Sequence, residues 1–337
     1  MTPRWRNFGR PSGTAPDSSC AGSVSRNAVQ DPRPEPRRLR ESLGSAALAG
    51  MQRVARTRPA RALLTRPRVE RVVSAGLEST AVRGSARFVF RELSGRDVVV
   101  RYELRSSGRP IYLRHNTADA VVMREVFYTR HYDLPETVAS FLGRLGRPPE
   151  IVDLGANIGL FGVLMLGRFP GARITAFEPD PSNAEIHRLS IAENDPGNWQ
   201  LVEAAASNRN GRVLFRSGEF SRSRIEAGDA NDEVDAVDIF PYLDRADFAK
   251  IDIEGGEWPI LGDERFTALC TPVLVLEYHS DLCPMDDPRE TAFTAVTDAG
   301  YQTMSTWEFP GQGMLWAWKP DIMGDGLEQA SAQGSTA

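Results

Sequence analysis

Lysine is almost missing from this chain: Lys250 and Lys319 are its only lysines, and the remainder of its 40 basic residues are arginine. Such a bias across a whole protein reads as codon drift in a GC-rich genome, because exposed faces tolerate either cation. Cysteine is scarce too. Cys20, Cys270 and Cys283 show no C-x-x-C or metal-like spacing, which argues against a disulfide framework or a zinc site and makes a reducing, cytoplasmic setting the expectation. Long apolar runs are absent. The smoothest, such as residues 271–277, have the length of a strand, far short of the roughly 20 residues that span a bilayer, so stable membrane insertion is not expected. No internal repeat is visible.

What is present is the composition of a globular protein, 41% hydrophobic and 25% charged over 337 residues, enough for one large domain with appendages. Charge is unevenly placed. Fourteen arginines face five acids up to Glu70, a surplus of nine, so the net −5 leaves about −14 on the remainder. Residues 1–80 are rich in Arg, Pro, Ser, Gly and Ala and cannot bury enough apolar surface to offset ordering, so a disordered tail is expected, with a weak basic helix at most over 41–64. A basic arm for nucleic acid or a membrane surface is the alternative. A solvated tail, or a true start at Met51, is preferred, and no nucleic-acid partner is expected. The segment lacks the apolar core of a secretory signal.

From about residue 81 the pattern changes. Phe88, Val89 and Phe90, then Val98 to Tyr102, read as two short strands around a Ser-Gly-Arg turn, and helical spacing follows over 118–130 and 135–145. Residues 81–146 are therefore read as a lead-in or cap subdomain. Strands and helices then alternate. Strands are expected at 151–154, 174–177, 200–205, 249–253, 273–277, 301–305 and 314–318. Helices are expected at 158–169, 181–194 and 288–299, with short β patterns between 211 and 239. This is an α/β fold, a mostly parallel sheet covered on both faces over 147–320, followed by a flexible tail at 321–337.

The most informative segment runs Glu150-Ile-Val-Asp-Leu-Gly-Ala-Asn-Ile-Gly159, a buried strand entering a glycine turn and then a helix. Ligands of open α/β sheets bind at the carboxyl ends of strands, where strand order switches. The dinucleotide fingerprint requires G-x-G-x-x-G, and Gly155, Gly159 and Gly162 fail that spacing. Asp153 would repel a pyrophosphate but suits the ammonium of a methionine moiety. Glu178 follows about twenty residues on, where a carboxylate accepts hydrogen bonds from ribose hydroxyls. Together these point to S-adenosylmethionine, with a nicotinamide oxidoreductase disfavoured and a non-catalytic binding or interaction module as the other alternative.

At these residues the chain resembles the FkbM family of S-adenosylmethionine-dependent methyltransferases. The likeness rests on Val152-Asp-Leu-Gly-Ala-Asn-Ile-Gly159, Phe177-Glu-Pro179, Val202-Glu-Ala-Ala-Ala-Ser207, Val237-Asp238 and above all Lys250-Ile-Asp-Ile-Glu-Gly-Gly-Glu257, with Glu277 on the next strand. It covers about half the chain. It implies a Rossmann-like, seven-stranded methyltransferase sheet with one antiparallel strand, and methyl transfer to a hydroxyl of a sugar, glycan or secondary metabolite. The candidate cofactor-binding set is Asp153, Gly155, Asn157, Gly159, Glu178, Pro179, Ala205 and Asp252.

Asp252, Glu254 and Glu257 crowd the end of the fourth core strand, and alternation puts Asp252 and Glu254 on one side. An alcohol acceptor gains from a base that takes its proton as the new bond forms. Asp252, Glu254 and His279 are the candidates. A divalent ion bridging the acids is the alternative, set below acid/base work because no further ligand spacing specifies a metal. Glu257 serves equally as a helix N-terminal acid. Lys250 reads as a structural partner of Asp252 or Glu277, and His115, His131 and His187 as structural or exposed. Glu125 and Tyr132 are candidate cofactor contacts from the lead-in segment. Trp307, Trp316 and Trp318 are read as core, with walls of an acceptor pocket as the alternative.

Overall fold

In the computed structural model of the chain, residues 67–216, 224–225 and 232–323 are described, and the basic helix expected over 41–64 lies outside them. Contacts divide the chain into Met1–Met51 and Gln52–Ala337, so every described residue, lead-in and sheet alike, falls in one unit.

The lead-in begins earlier than the sequence suggested. Helix α1 (Pro67–Glu78) occupies the end of the stretch expected to be a disordered tail, and it buries Ala75 and Glu78. Helix α2 (Ser85–Leu93) corrects a second expectation: Phe88 to Phe90 is helical, not a strand. Phe88 is fully buried and Phe90 is 67% exposed, the periodicity of one helix face that a three-residue apolar run conceals. Strands β1 (Val99–Glu103) and β2 (Pro110–Arg114) form an antiparallel hairpin, of which only the first was foreseen. Helix α3 (Asp119–Met123) then widens into a π-helical turn, Arg124–Tyr128, before α4 (Glu136–Gly143).

The main sheet follows. Strand β3 (Glu150–Leu154) leads to α5 (Leu160–Arg168), β4 (Arg173–Phe177) to α6 (Pro181–Asn194), and β5 (Trp199–Val202) ends the first half. Helix α6 starts where Asp180 accepts from the Ser182 N–H, with Pro181 in the first turn, where its missing N–H costs nothing. The expected third strand divides at Glu203 and Ala204. Beyond it, β6 (Ala205–Ser207) leaves the main sheet and joins β7 (Gly211–Arg216), β8 (Arg224–Ile225) and β9 (Asp232–Asp238) in a four-stranded sheet of order β6-β9-β7-β8. Short helix α7 (Phe240–Leu243) returns the chain to β10 (Phe248–Ile251). Then come α8 (Glu257–Leu261), α9 (Glu264–Thr267), β11 (Val273–His279), α10 (Pro288–Asp298), β12 (Gln302–Phe309) and β13 (Gln312–Trp318), closed by a 3-10 turn, Pro320–Met323.

The seven-stranded sheet has the order β12-β13-β11-β10-β3-β4-β5, and β13 alone runs antiparallel to its neighbours. The fold is the Rossmann-like seven-stranded sheet with one antiparallel strand that the sequence led us to expect. Strand order reverses between β3 and β10, which places a crevice at their carboxyl ends. Alternation divides the interior: Ile151, Ile174, Phe248 and Val275 face a core built with α5 and the lead-in, whereas Val152, Leu154, Ile251 and Leu276 face a second core with α7 to α10. Asp153 and Lys250 share the first face, opposite one another in register.

Candidate functional site

The crevice is a cleft of about 1000 Å³, counting its open mouth. Its floor is the turn after β3, with Gly155, Ala156 and Asn157, and its far wall is the tip of β4, with Phe177, Glu178 and Pro179. Ala205, Ala206 and Phe215 close one end; Lys250, Asp252, Ile253, Glu254 and Glu277 line the other. The roof comes from the lead-in: Val122, Glu125, Val126, His131 and Tyr132.

The turn is held open by backbone geometry. Gly155 has φ of +76°, and a Cβ there would lie 1.8 Å from the Asp252 carbonyl oxygen, so the tips of β3 and β10 touch backbone to backbone. Asn157 also sits at positive φ (49°) and accepts the Ile158 N–H on its own Oδ1. Glu178 fastens the turn from across the cleft, its Oε2 accepting from the Asn157 N–H at 2.8 Å and its Oε1 from the Asp180 N–H at 2.9 Å. Burial pushes the Glu178 carboxyl up to about 7 despite these donors.

At the other end a chain of charges crosses the strand tips. The Lys250 ammonium lies 3.3 Å from Asp153 Oδ1 and 3.3 Å from Asp252 Oδ2, and it donates to the carbonyls of Leu154 and Gly155. Burial opposes its charge, but the two carboxylates outweigh burial and raise its pKa. Asp153 is fully enclosed and its oxygens receive no directed hydrogen bond, so the lysine charge is what compensates it; burial leaves its pKa raised. Asp252 is the opposite case. Burial is countered by Lys250, His279 and a 3.0 Å hydrogen bond from the Tyr132 hydroxyl, and its pKa is lowered.

Beyond Asp252 the chain turns through Glu254 at φ of +51° and Gly255 at +94°, an uncommon conformation for a glutamate and one that functional sites tolerate. Burial pushes the Glu254 carboxyl up to about 8. Glu257, fully buried, pins the turn: its oxygens accept from the Gly255 N–H at 2.8 Å and the His279 N–H at 2.7 Å. The His279 ring lies among three carboxylates, 3.2 Å from Glu257, 3.5 Å from Glu254 and 3.6 Å from Glu277. Burial would lower its pKa, but those carboxylates raise it to about 11, so it is an imidazolium.

The structure therefore brings Gly155, Asn157, Glu178, Pro179, Ala205, Asp252 and Glu254 around one cleft, and leaves three expected site residues out of its lining. Asp153 lies beneath the floor with Lys250. Gly159 caps α5, and a Cβ there would strike the His187 ring at 2.6 Å. His279 is outside the cleft lining, its ring paired with Glu254, Glu257 and Glu277. The same observations bear on a metal. Asp252, Glu277 and His279 place one ligand atom each within 4.8 Å of one another, the spacing of a metal triad. Lys250 also stands 3.3 Å from Asp252, and the His279 ring pairs with Glu254, Glu257 and Glu277, so the same groups form an internal ion-pair network.

His131 was read as structural or exposed and lines the roof, its ring tilted against Trp307 with centroids 5.2 Å apart. No spacing signal in the sequence links His131 to the strand tips about 120 residues downstream. Tyr132 does reach the strand tips, but its contact is with Asp252.

Residues 153–302 match the methyltransferase FkbM domain family. The chain is similar to the methyltransferase sdnD of Sordaria araneosa, 26% identical over 196 residues that make up 46% of this chain and 73% of the relative. It is similar also to methyltransferase 1 of Beauveria bassiana strain ARSEF 2860, 26% identical over 213 residues, 53% of this chain and 80% of the relative. Among solved structures it resembles a precorrin-6y C5,15-methyltransferase from Geobacter metallireducens GS-15, with a TM-score of 0.34 and 18% identity over 54% of this chain and 86% of that one.

Proposed function

From the premise that this chain belongs to the FkbM methyltransferase family, we propose that it transfers a methyl group from S-adenosylmethionine to a hydroxyl of a small metabolite or glycan, with Glu254 as the base. The observation that carries the reading is the division of the cleft. One end offers a hydrogen-bonding carboxylate and small residues; the other offers carboxylates around the point where β3 and β10 meet.

The cleft fits the cofactor on its own chemistry. Glu178 stands where ribose hydroxyls would donate, and Ala205 and Ala206 leave flat apolar space for an adenine. Among the described lining residues there is no arginine, and the single lysine, Lys250, is occupied by Asp153 and Asp252, so a pyrophosphate would find no cation. A cationic amino acid and sulfonium instead meet Asp252, Glu254 and Glu277.

Bound there, S-adenosylmethionine supplies an electrophilic methyl whose C–S electron pair returns to sulfur as the new O–C bond forms. The protein aligns the acceptor at near-attack distance and takes its proton. Asp252, held ionised by Lys250 and Tyr132, is a weak base and a strong hydrogen-bond acceptor, which suits orientation of the acceptor or the cofactor. Glu254, with its pKa at about 8, is matched to removing a hydroxyl proton near neutrality and beyond.

Calorimetric titration tests the reading directly. S-adenosylmethionine should bind and NAD should not, and Glu178→Ala should lose at least tenfold in affinity, the cost of about one charge-assisted hydrogen bond. Binding of NAD instead would overturn it. Once an acceptor is found, by mass spectrometry of methylated products, turnover should rise with pH through about 8, the pKa of Glu254. Glu254→Gln should keep cofactor binding and lose that limb; an unchanged profile would place the base elsewhere.

A further inference from the structure

We infer that Glu125, carried on the π-helical turn of the lead-in, contacts the reacting end of the cleft and faces the transferred methyl opposite Asp252 and Glu277. The inference rests on the cofactor reading above and adds to it the residue that closes the methyl-transfer position from the roof.

Four observations place Glu125. First, it lines the cleft, and among the described residues its carboxylate receives no hydrogen bond and forms no ion pair, whereas both oxygens of buried Glu257 are held by backbone N–H groups. An acidic side chain directed into a cavity without a protein partner is available to a ligand. Second, its own turn is anchored over the tips of β10 to β12 rather than over β4. The Glu125 carbonyl accepts the His131 N–H at 3.0 Å; the His131 ring lies tilted against Trp307 of β12; and the next residue, Tyr132, donates to Asp252 at 3.0 Å. Third, register extends this row sideways. Glu277 lies opposite Met314, and Met314 opposite Trp307, so Glu277 and Trp307 point to the same face of the sheet, the face the lead-in covers. Fourth, burial raises the Glu125 pKa to about 7, and the carboxylates that raise it further are Glu277 and Asp252. Glu178, at the adenosine end, is not among them.

The widened turn supplies the reach. The Thr129 N–H bonds to the carbonyl of Arg124, five residues back, a π-type closure that inserts an extra residue and redirects the side chains beside it. Buried Met123 and Val126 hold the turn on the core while Glu125 between them is directed into the cleft. An acceptor entering here meets carboxylates from the roof, from β10 and from β11. That surface suits a neutral or cationic hydroxyl compound and repels a carboxylate or a phosphate.

The test needs no acceptor. S-adenosylhomocysteine lacks both the methyl and the positive charge on sulfur. Sinefungin has a carbon in place of sulfur and an ammonium in place of the methyl, so it probes that position. Both are titrated calorimetrically into the full chain and into Glu125→Gln. The inference requires that E125Q lose about tenfold in sinefungin affinity and keep S-adenosylhomocysteine within twofold, the retained ligand also showing that the site is folded. An equal loss for both ligands would place Glu125 at the amino-acid or adenosine part and overturn the inference, as would no loss for either. If E125Q does not fold, Glu125→Asp is read the same way, because drawing the carboxylate back by one methylene should weaken sinefungin alone. Failure of the wild-type chain to bind either ligand would instead remove the cofactor reading itself, and this inference with it.

Discussion

Replacing Lys250 with methionine keeps most of the side-chain volume and removes one charge from the centre of the molecule. The ammonium lies 3.3 Å from both Asp153 and Asp252. At an effective dielectric of about 20, a pair of unit charges at that separation attracts by about 5 kcal/mol. Desolvation of all three groups offsets much of that gain, so the net loss should be closer to the roughly 3–5 kcal/mol typical of removing one partner from a buried pair. The loss should also depend on pH with a definite sign. Asp153 is fully enclosed, and burial holds its pKa above the usual value even beside Lys250. Without the lysine that rise grows. A carboxyl whose folded pKa exceeds its unfolded value favours folding while protonated and disfavours it as pH climbs through the folded pKa. Urea unfolding followed by circular dichroism should therefore show a gap between wild type and Lys250→Met that is small near pH 4 and widens toward pH 8. The double variant Lys250→Met with Asp153→Asn should recover at least half of the gap at pH 8. A gap independent of pH, or a double variant no more stable than the single one, would refute the account of Asp153 as a buried charge held by Lys250.

Two further outcomes follow from the same geometry. Gly155→Ala places a Cβ 1.8 Å from a backbone carbonyl that has no rotamer to yield; it should cost about 1–3 kcal/mol and at least tenfold in S-adenosylmethionine affinity, and a wild-type dissociation constant would contradict the interlock of the two strand tips. His279 has its pKa raised from 6.5 to about 11, so the stability it contributes is complete below pH 6.5 and fades as pH rises toward 11. In urea unfolding, His279→Gln should accordingly be most destabilising at pH 6 and less so at pH 9, and a constant difference would count against the imidazolium.

The main sheet was legible because hydrophobic alternation carried it. Residues such as Ile151, Val152 and Leu154, and Val273 to Leu276, are buried on both faces as parallel strands demand, and Asp180 and Pro181 announced α6. Errors arose where a short apolar run supports two periods. Phe88 to Phe90 fits a strand or a helix equally, and α2 has no side-chain cap to decide it, since Gly84 precedes it. The break at Glu203 and Ala204 was hidden for a different reason: Val202 and Ala205 both suit a strand, but they pair with different sheets. In the site, the acids were legible as residues and not as charges. Asp153 and His279 were read by residue type, and the sequence did not show their partners: Lys250 lies against the first, and three glutamates surround the second.

The hydroxyl of Tyr132 reaches Asp252, 120 positions further along the chain. It begins outside the 153–302 segment that matches the family, as do Glu125, His131 and every other roof residue. The stretch by which the family is recognised is thus a bowl without its cover. Excised alone, that stretch would present its strand-tip carboxylates to bulk water, where their charges are screened and their proton affinities relax toward ordinary values. Relatives that share the bowl but differ before position 150 can therefore be expected to handle different acceptors with the same transferable group.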